Sequence, residues 1–110
     1  MRLEIPEQVN RKCYVFQMGY QYPVCVWNRS DTGAALKKLE PVFGEPSREQ
    51  YFWEPGRVKQ AWRHRELEIQ NRRWYVGQRL WRARKSPQTD FWFVFRKESD
   101  RTLAMMLING

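Results

Sequence analysis

Five consecutive large apolar residues, FWFVF at 91–95, constrain the fold of this chain more than any other segment. A β-strand alternates its side chains between two faces, and here both alternating sets are apolar. Phe91, Phe93 and Phe95 form one set, and Trp92 and Val94 form the other. A strand of this kind has to be covered on both faces. The segment therefore predicts a central strand, with a helix as the cover on one side, in a fold of the α+β class.

Further strands are predicted on either side of this segment. Short alternating apolar runs indicate strands at about 58–69, 74–84, 91–97 and 102–108. The connectors between them are short enough for antiparallel neighbours, so the C-terminal half is predicted to be a meander. Two runs rich in β-branched and aromatic residues, 13–18 and 24–27, indicate an N-terminal hairpin with a longer loop.

One helix is predicted, and a second segment is left open. Ser30 or Asp31 can cap a helix through 34–39, which Pro41 and Gly44 should end. Residues 47–50 have capping-box spacing, but the aromatic residues that follow them suit a strand that enters a turn. With these elements, the predicted fold is a predominantly antiparallel sheet with one or two short helices.

The length of the chain matches one domain, so we expect residues 1–110 to form a single compact basic domain. The expected core residues on strands are Phe93, Phe95, Leu103 and Leu107, with Leu36 and Leu39 packing from the helix. The longest apolar run, 103–108, is far shorter than the roughly 18 residues of a membrane-spanning helix, and no signal-peptide pattern follows Met1. We therefore expect a soluble, cytoplasmic protein that does not enter a membrane.

Positive charge is concentrated in one stretch of the chain. The protein carries 20 Lys and Arg against 12 Asp and Glu, a formal net charge of +8. Residues 57–85 contain ten of the basic residues and two of the acidic ones, so all of the net charge arises there. Arginine outnumbers lysine by 14 to 6, and a guanidinium group binds phosphate bidentately and stacks on flat rings. A partner that carries phosphate groups is predicted.

The predicted strand 74–84 interleaves aromatic and basic side chains. Trp74 and Val76 begin one alternating set and suit a core, whereas the other set contains Tyr75, Gly77 and Trp81. Because glycine leaves room for close approach, a base could stack on Tyr75 or Trp81 while neighbouring guanidinium groups hold its phosphates. The alternative is that Trp81 belongs to the core, since aromatic and arginine pairs also stabilise sheets without a ligand. The predicted binding residues are Arg63, Arg65, Arg72, Arg73, Tyr75, Arg79, Trp81, Arg82, Arg84 and Lys85.

Metal and cofactor sites are not indicated. Cys13, Cys25 and a single histidine cannot supply an ordinary four-ligand zinc site. The two cysteines would face each other in the predicted hairpin, but without a sign of export we expect reduced, buried thiols. The sequence contains no P-loop, dinucleotide-binding, zinc-protease or serine-hydrolase motif. We therefore expect neither a metal nor a cofactor.

Two binding functions and one minor catalytic alternative follow from these features. The leading hypothesis is a non-catalytic domain that binds RNA or single-stranded DNA. The second is a protein-interaction or inhibitor module that docks on an acidic partner protein through the same arginine and tryptophan side chains. His64, near Glu66 and Glu68, also allows a metal-independent ribonuclease. The sequence leaves the oligomeric state open.

Overall fold

The described part of the chain contains both helices and strands and has an α+β fold. The structure is a computed structural model, and it describes residues 2–7, 9, 11–12, 14–26, 30–48, 68–78 and 91–110. The elements are α1 (Tyr14–Gln17), β1 (Tyr22–Val26), α2 (Asp31–Phe43), β2 (Ser47–Arg48), β3 (Trp74–Gln78), β4 (Phe91–Phe95) and α3 (Glu98–Asn109). Residues 68–70 are also helical. Among the described residues, no helix combines the length and the apolar character needed to cross a membrane.

The strands form a mixed sheet in the order β1-β4-β3-β2. β4 is antiparallel to both β1 and β3, and Phe93 is opposite Val24 on one side and Val76 on the other. β2 is parallel to β3, with Ser47 opposite Tyr75. The central position predicted for the FWFVF segment is therefore confirmed.

Two apolar clusters cover the two faces of this sheet. On the face covered by α2 and α3, called the α2 face below, the buried residues are Leu3, Val24, Val26, Ala35, Leu39, Phe43, Trp74, Val76, Phe93, Phe95 and Ala104. On the opposite face, called the α1 face, they are Val15, Phe16, Tyr20, Cys25, Tyr75, Trp92 and Val94. β4 contributes to both clusters, as its doubly apolar sequence requires.

The predicted helix is present and is longer than expected. It contains residues 34–39 and ends at Phe43, followed by Gly44 with a φ of 80° and an N–H that donates to the Glu40 carbonyl. Pro41 lies inside the last turn and does not end the helix. Proline has no N–H to donate to the carbonyl of Lys37, but Lys37 lies on the exposed side of the helix, where water can donate to this carbonyl instead. The buried side chain of Phe43 anchors the last turn in the core.

The predicted strand at 102–108 is wrong, because these residues belong to α3. Their leucine, alanine and methionine residues are strong helix formers, and acidic residues in the first turn favour the helix further. Leu103 and Leu107 are 37% and 41% exposed, so the prediction that they lie in the core is also wrong. Ala104 is buried in their place, whereas Phe93, Phe95 and Leu39 are buried and Leu36 packs against them, as predicted.

The predicted N-terminal hairpin is also wrong. Residues 14–17 form α1, and β1 pairs with β4 instead of with the segment just before it. On its outer side, Cys25 exchanges two backbone hydrogen bonds with Glu4, of 3.1 and 2.8 Å. Cys25 is a buried, reduced thiol as expected, and Cys13 lies outside the described residues.

The basic stretch is described only at its centre. Residues 68 and 69, the end of the predicted strand 58–69, are helical, and 74–78 form the first part of the predicted strand 74–84. The side chain of Gln70 accepts from the N–H of Arg48 at 2.7 Å and donates to its carbonyl at 2.6 Å, which attaches this segment to β2. In the segment 47–53, for which the sequence did not decide between a helix and a strand, residues 47 and 48 form β2 and the others lie outside the described residues.

Candidate nucleic-acid interface

Arg72, Arg73 and Tyr75 are the predicted binding residues that fall within the described part of the chain. The other seven lie outside it, namely Arg63, Arg65, Arg79, Trp81, Arg82, Arg84 and Lys85. His64, the residue behind the ribonuclease alternative, lies outside it as well. The structure therefore describes only the part of the predicted surface at the start of β3.

Tyr75 is part of the interior and is not available for stacking with a ligand. Its side chain is 0% exposed on the α1 face. The room left by Gly77 is taken by the tyrosine itself, since a Cβ atom at Gly77 would lie 2.6 Å from Tyr75 Cε1. The sequence interpretation failed here because it read α1 as a strand and so left this face of the sheet without a cover.

Arg73 points to the α2 face and has its charge matched there. Its Nε and Nη2 donate to the two carboxylate oxygens of Asp100 at 2.9 and 2.8 Å, and its guanidinium lies over the ring of Phe43. The Asp100 side chain is only 7% exposed. These hydrogen bonds hold the pKa of the Asp100 carboxyl below its usual value and raise the pKa of Arg73. Arg73 therefore stabilises the fold and offers little charge to a ligand.

Arg72 combines a fixed backbone with an open side chain. Its N–H donates to Ser47 Oγ at 3.1 Å, and its carbonyl accepts from the Tyr20 hydroxyl at 3.1 Å and from Arg96 Nε at 2.8 Å. The side chain is 50% exposed, and a carboxylate oxygen of Glu45 lies 3.9 Å from its Nη2. An ion pair with this separation and exposure contributes little to stability, because water screens it. The charge of Arg72 therefore remains available to an anion.

Arg96 was not predicted, yet it lies beside Arg72 at the end of β4. Its guanidinium carbon is 4.0 Å from the centroid of the Tyr20 ring. Nε donates to the Arg72 carbonyl, Nη1 to the Met18 carbonyl at 2.9 Å, and Nη2 to Asn71 Oδ1 at 3.1 Å. All of these acceptors are neutral, and within the described ranges no carboxylate lies within 4.0 Å of it. Among the described residues, the charge of Arg96 is therefore not paired with a carboxylate, and three hydrogen bonds fix its orientation.

Arg11 completes the group at this end of the sheet. Its guanidinium lies over the ring of Phe16, and Nη1 donates to the Gln21 carbonyl at 2.6 Å. The N–H of Gln21 in turn donates to the Phe95 carbonyl, next to Arg96. We call Arg11, Arg72 and Arg96 the strand-end arginines. The antiparallel register of β3 and β4 could have indicated Arg96 from the sequence, but Arg11 carries no comparable signal.

Comparison with known proteins gives no relative for this chain. No family model, no curated protein and no solved structure matches it. Within the described ranges, no three histidine, cysteine or acidic side chains come close enough together to hold a metal ion. A function for this protein is therefore inferred from the charge and the contacts of its own side chains.

Proposed function

We propose that the protein is a non-catalytic domain that binds RNA or single-stranded DNA through an arginine-rich surface that includes the strand-end arginines. The observation that carries the proposal is the position of Arg72. It belongs to the stretch 57–85, which supplies the whole net charge of the chain, and its carbonyl accepts from Arg96 at the end of the sheet where Arg11 donates to Gln21. Arginines from separate parts of the sequence are thus attached to the same end of the sheet.

The hydrogen-bond partners of the arginines support this proposal. In two other places the charge of an arginine is matched by a carboxylate, namely Arg48 by Glu40 at 3.2 Å and Arg73 by Asp100. Arg11 and Arg96 instead donate to backbone carbonyls and an amide oxygen, which orient the guanidinium without cancelling its charge. Positive charge that is fixed in place and not neutralised attracts a polyanion.

Binding to labelled single-stranded RNA, single-stranded DNA and duplex DNA, measured by fluorescence anisotropy over a series of salt concentrations, tests the proposal. We expect affinity for the single strands to fall steeply with salt. Arg72→Glu should lower affinity for every sequence and reduce the slope of log affinity against log salt by about 0.7 for each phosphate that the protein no longer neutralises. Lys37→Glu is the matched control, since it makes the same change of charge at an exposed position on α2, on the other face of the sheet.

The predicted residues outside the described ranges extend the same test. Arg79 and Arg82 lie on opposite alternating faces of the predicted strand, so comparing Arg79→Glu with Arg82→Glu identifies the face that binds the ligand. Failure of the unaltered protein to bind any oligonucleotide at low salt would contradict the proposal. A discrete complex with an acidic protein, formed without nucleic acid, would instead assign the surface to the interaction-module alternative.

A further inference from the structure

Two tyrosine rings and one guanidinium group form a row that leads from the core to the surface. The ring centroids of Tyr75 and Tyr20 are 5.8 Å apart, and the guanidinium of Arg96 lies over the outer side of this pair, 4.0 Å from the Tyr20 ring. Both tyrosines are completely buried, whereas Arg96 is partly exposed. Arg96 is therefore the outer end of the row.

The position of this guanidinium is set before any ligand arrives. Its three nitrogens each donate to a different neutral acceptor, on Arg72, Met18 and Asn71. A side chain held in this way loses little conformational freedom when a ligand binds. One face of the group lies against Tyr20 and its three nitrogens are hydrogen-bonded, while the residue is partly exposed, so the side of the plane away from Tyr20 is the one on which another flat group could stack.

We infer that the guanidinium of Arg96 is a stacking platform for a nucleobase, with Arg72 beside it to bind the adjoining phosphate. This inference rests on the proposed function and makes it more specific. Guanidinium planes stack on bases that have been splayed out of a strand, whereas the faces of bases inside a duplex are already covered by their neighbours. The preferred ligand is therefore a single strand with at least one unstacked base.

The ligand comparison that tests this needs only the unaltered protein. Three ligands of equal length are used, namely a single-stranded oligonucleotide, the same strand with abasic sites throughout, and the duplex. Stacking of one base typically contributes about 1–3 kcal/mol, so the strand with bases should bind about 5- to 150-fold more tightly than the abasic strand. If the two strands bind equally with normal salt dependence, or the duplex binds more tightly, the platform is excluded while the proposed function stands.

Arg96 itself is identified by its own NMR signal. A base that stacks on the guanidinium should shift the Nε–H resonance of Arg96 through its ring current, and the saturating abasic strand should not. No such difference at saturation would overturn the assignment to Arg96.

Arg96→Lys keeps the positive charge but removes the planar group. In a variant shown by circular dichroism to be folded, the ratio of the affinity for the strand with bases to the affinity for the abasic strand should fall to about 1. Arg72→Lys is its control and should keep that preference, whereas a failure of all strands to bind would remove both proposals.

Discussion

Arg72 and Arg73 are neighbours in the sequence, but their side chains have different surroundings. On the α2 face, Arg73 meets the buried carboxylate of Asp100. The Arg72 side chain meets one exposed carboxylate at 3.9 Å, and the adjacent Arg96 donates to neutral oxygens. Charge density along a sequence therefore overestimates the charge that a ligand can use, because adjacent arginines can differ in how far their charge is matched by a carboxylate.

The two faces of the sheet also differ in what covers them. The α2 face is covered by α2 and α3, which have 13 and 12 residues, while α1 has only four. On the α1 face, the guanidinium groups of Arg11 and Arg96 lie over the rings of Phe16 and Tyr20 and so contribute to the cover. The same groups that shield aromatic rings from water also present positive charge at the surface.

The largest effect that we expect tests the α2 face. Phe93→Ala should lower the free energy of unfolding by about 3–5 kcal/mol, because it leaves a cavity where a fully buried ring packed. Leu103→Ala removes a side chain that is 37% exposed and should cost less than about 1 kcal/mol. Urea denaturation of the two variants makes the comparison, and equal losses would mean that α3 turns its other side to the sheet.

A glycine substitution tests the α1 face. Gly77→Ala should destabilise the protein by about 1–3 kcal/mol, since the new methyl group would meet the buried ring of Tyr75. Gly33→Ala is the control, because a Cβ atom at this helical position meets nothing within 4 Å and alanine favours the helix, by up to about 0.5–1 kcal/mol. Thermal unfolding of both variants shows whether the α1 face is as tightly packed as described, and a neutral Gly77→Ala would show that it is not.

The pH dependence of stability isolates the pair that distinguishes Arg73 from Arg72. Asp100→Asn should lower the free energy of unfolding by about 1–2 kcal/mol at neutral pH. The variant loses a charge-assisted hydrogen-bonded pair, whose contribution is reduced because Arg73 is half exposed. The pKa of Asp100 is lowered in the folded state from its usual value of 3.8, so its contribution is complete above that value and is lost as the pH falls through the folded-state pKa. The difference in stability between the unaltered protein and Asp100→Asn should therefore begin to shrink below about pH 4 and disappear once the pH is below the folded-state pKa. A difference that persists in strong acid would assign the effect to packing.

The smallest expected effect concerns Arg72. Arg72→Ala should change the free energy of unfolding by no more than about 0.5 kcal/mol, because its exposed pair with Glu45 is weak and its backbone contacts survive the change. Arg73→Ala should lower the free energy of unfolding at least as much as Asp100→Asn does, because it leaves the buried carboxylate of Asp100 without its partner. Chemical denaturation at neutral pH compares the pair, and similar losses would remove the contrast between them.

The parts of the fold that could be predicted are those decided by local pattern. The central position of β4 follows from an apolar run on both faces, and Trp74 and Val76 point to the core as their alternation predicts. α3 was missed because Leu103 and Leu107 fit an alternating pattern as well as a helical spacing of four, and the alternation was followed although the residues around them favour a helix.

The candidate site was harder to predict, because it depends on contacts between distant segments. Arg72 was found through charge density, but the burial of Tyr75 depends on α1, whose β-branched and aromatic residues favour a strand. Arg96 meets Met18, 78 residues away in the chain, and no local pattern records such a contact.

The pairing of β1 with β4 has a consequence for biosynthesis. The end of β1 at Val26 and the start of β4 at Phe91 are opposite each other in the sheet but about 65 residues apart in the chain. At a synthesis rate of about 5–20 residues per second, roughly 3–13 s pass between the two strands. During that interval the apolar residues of β1 lack β4, and closing so long a loop carries an entropic cost before any contact compensates it. We therefore expect the protein to be most prone to aggregate while only its N-terminal half has been synthesised.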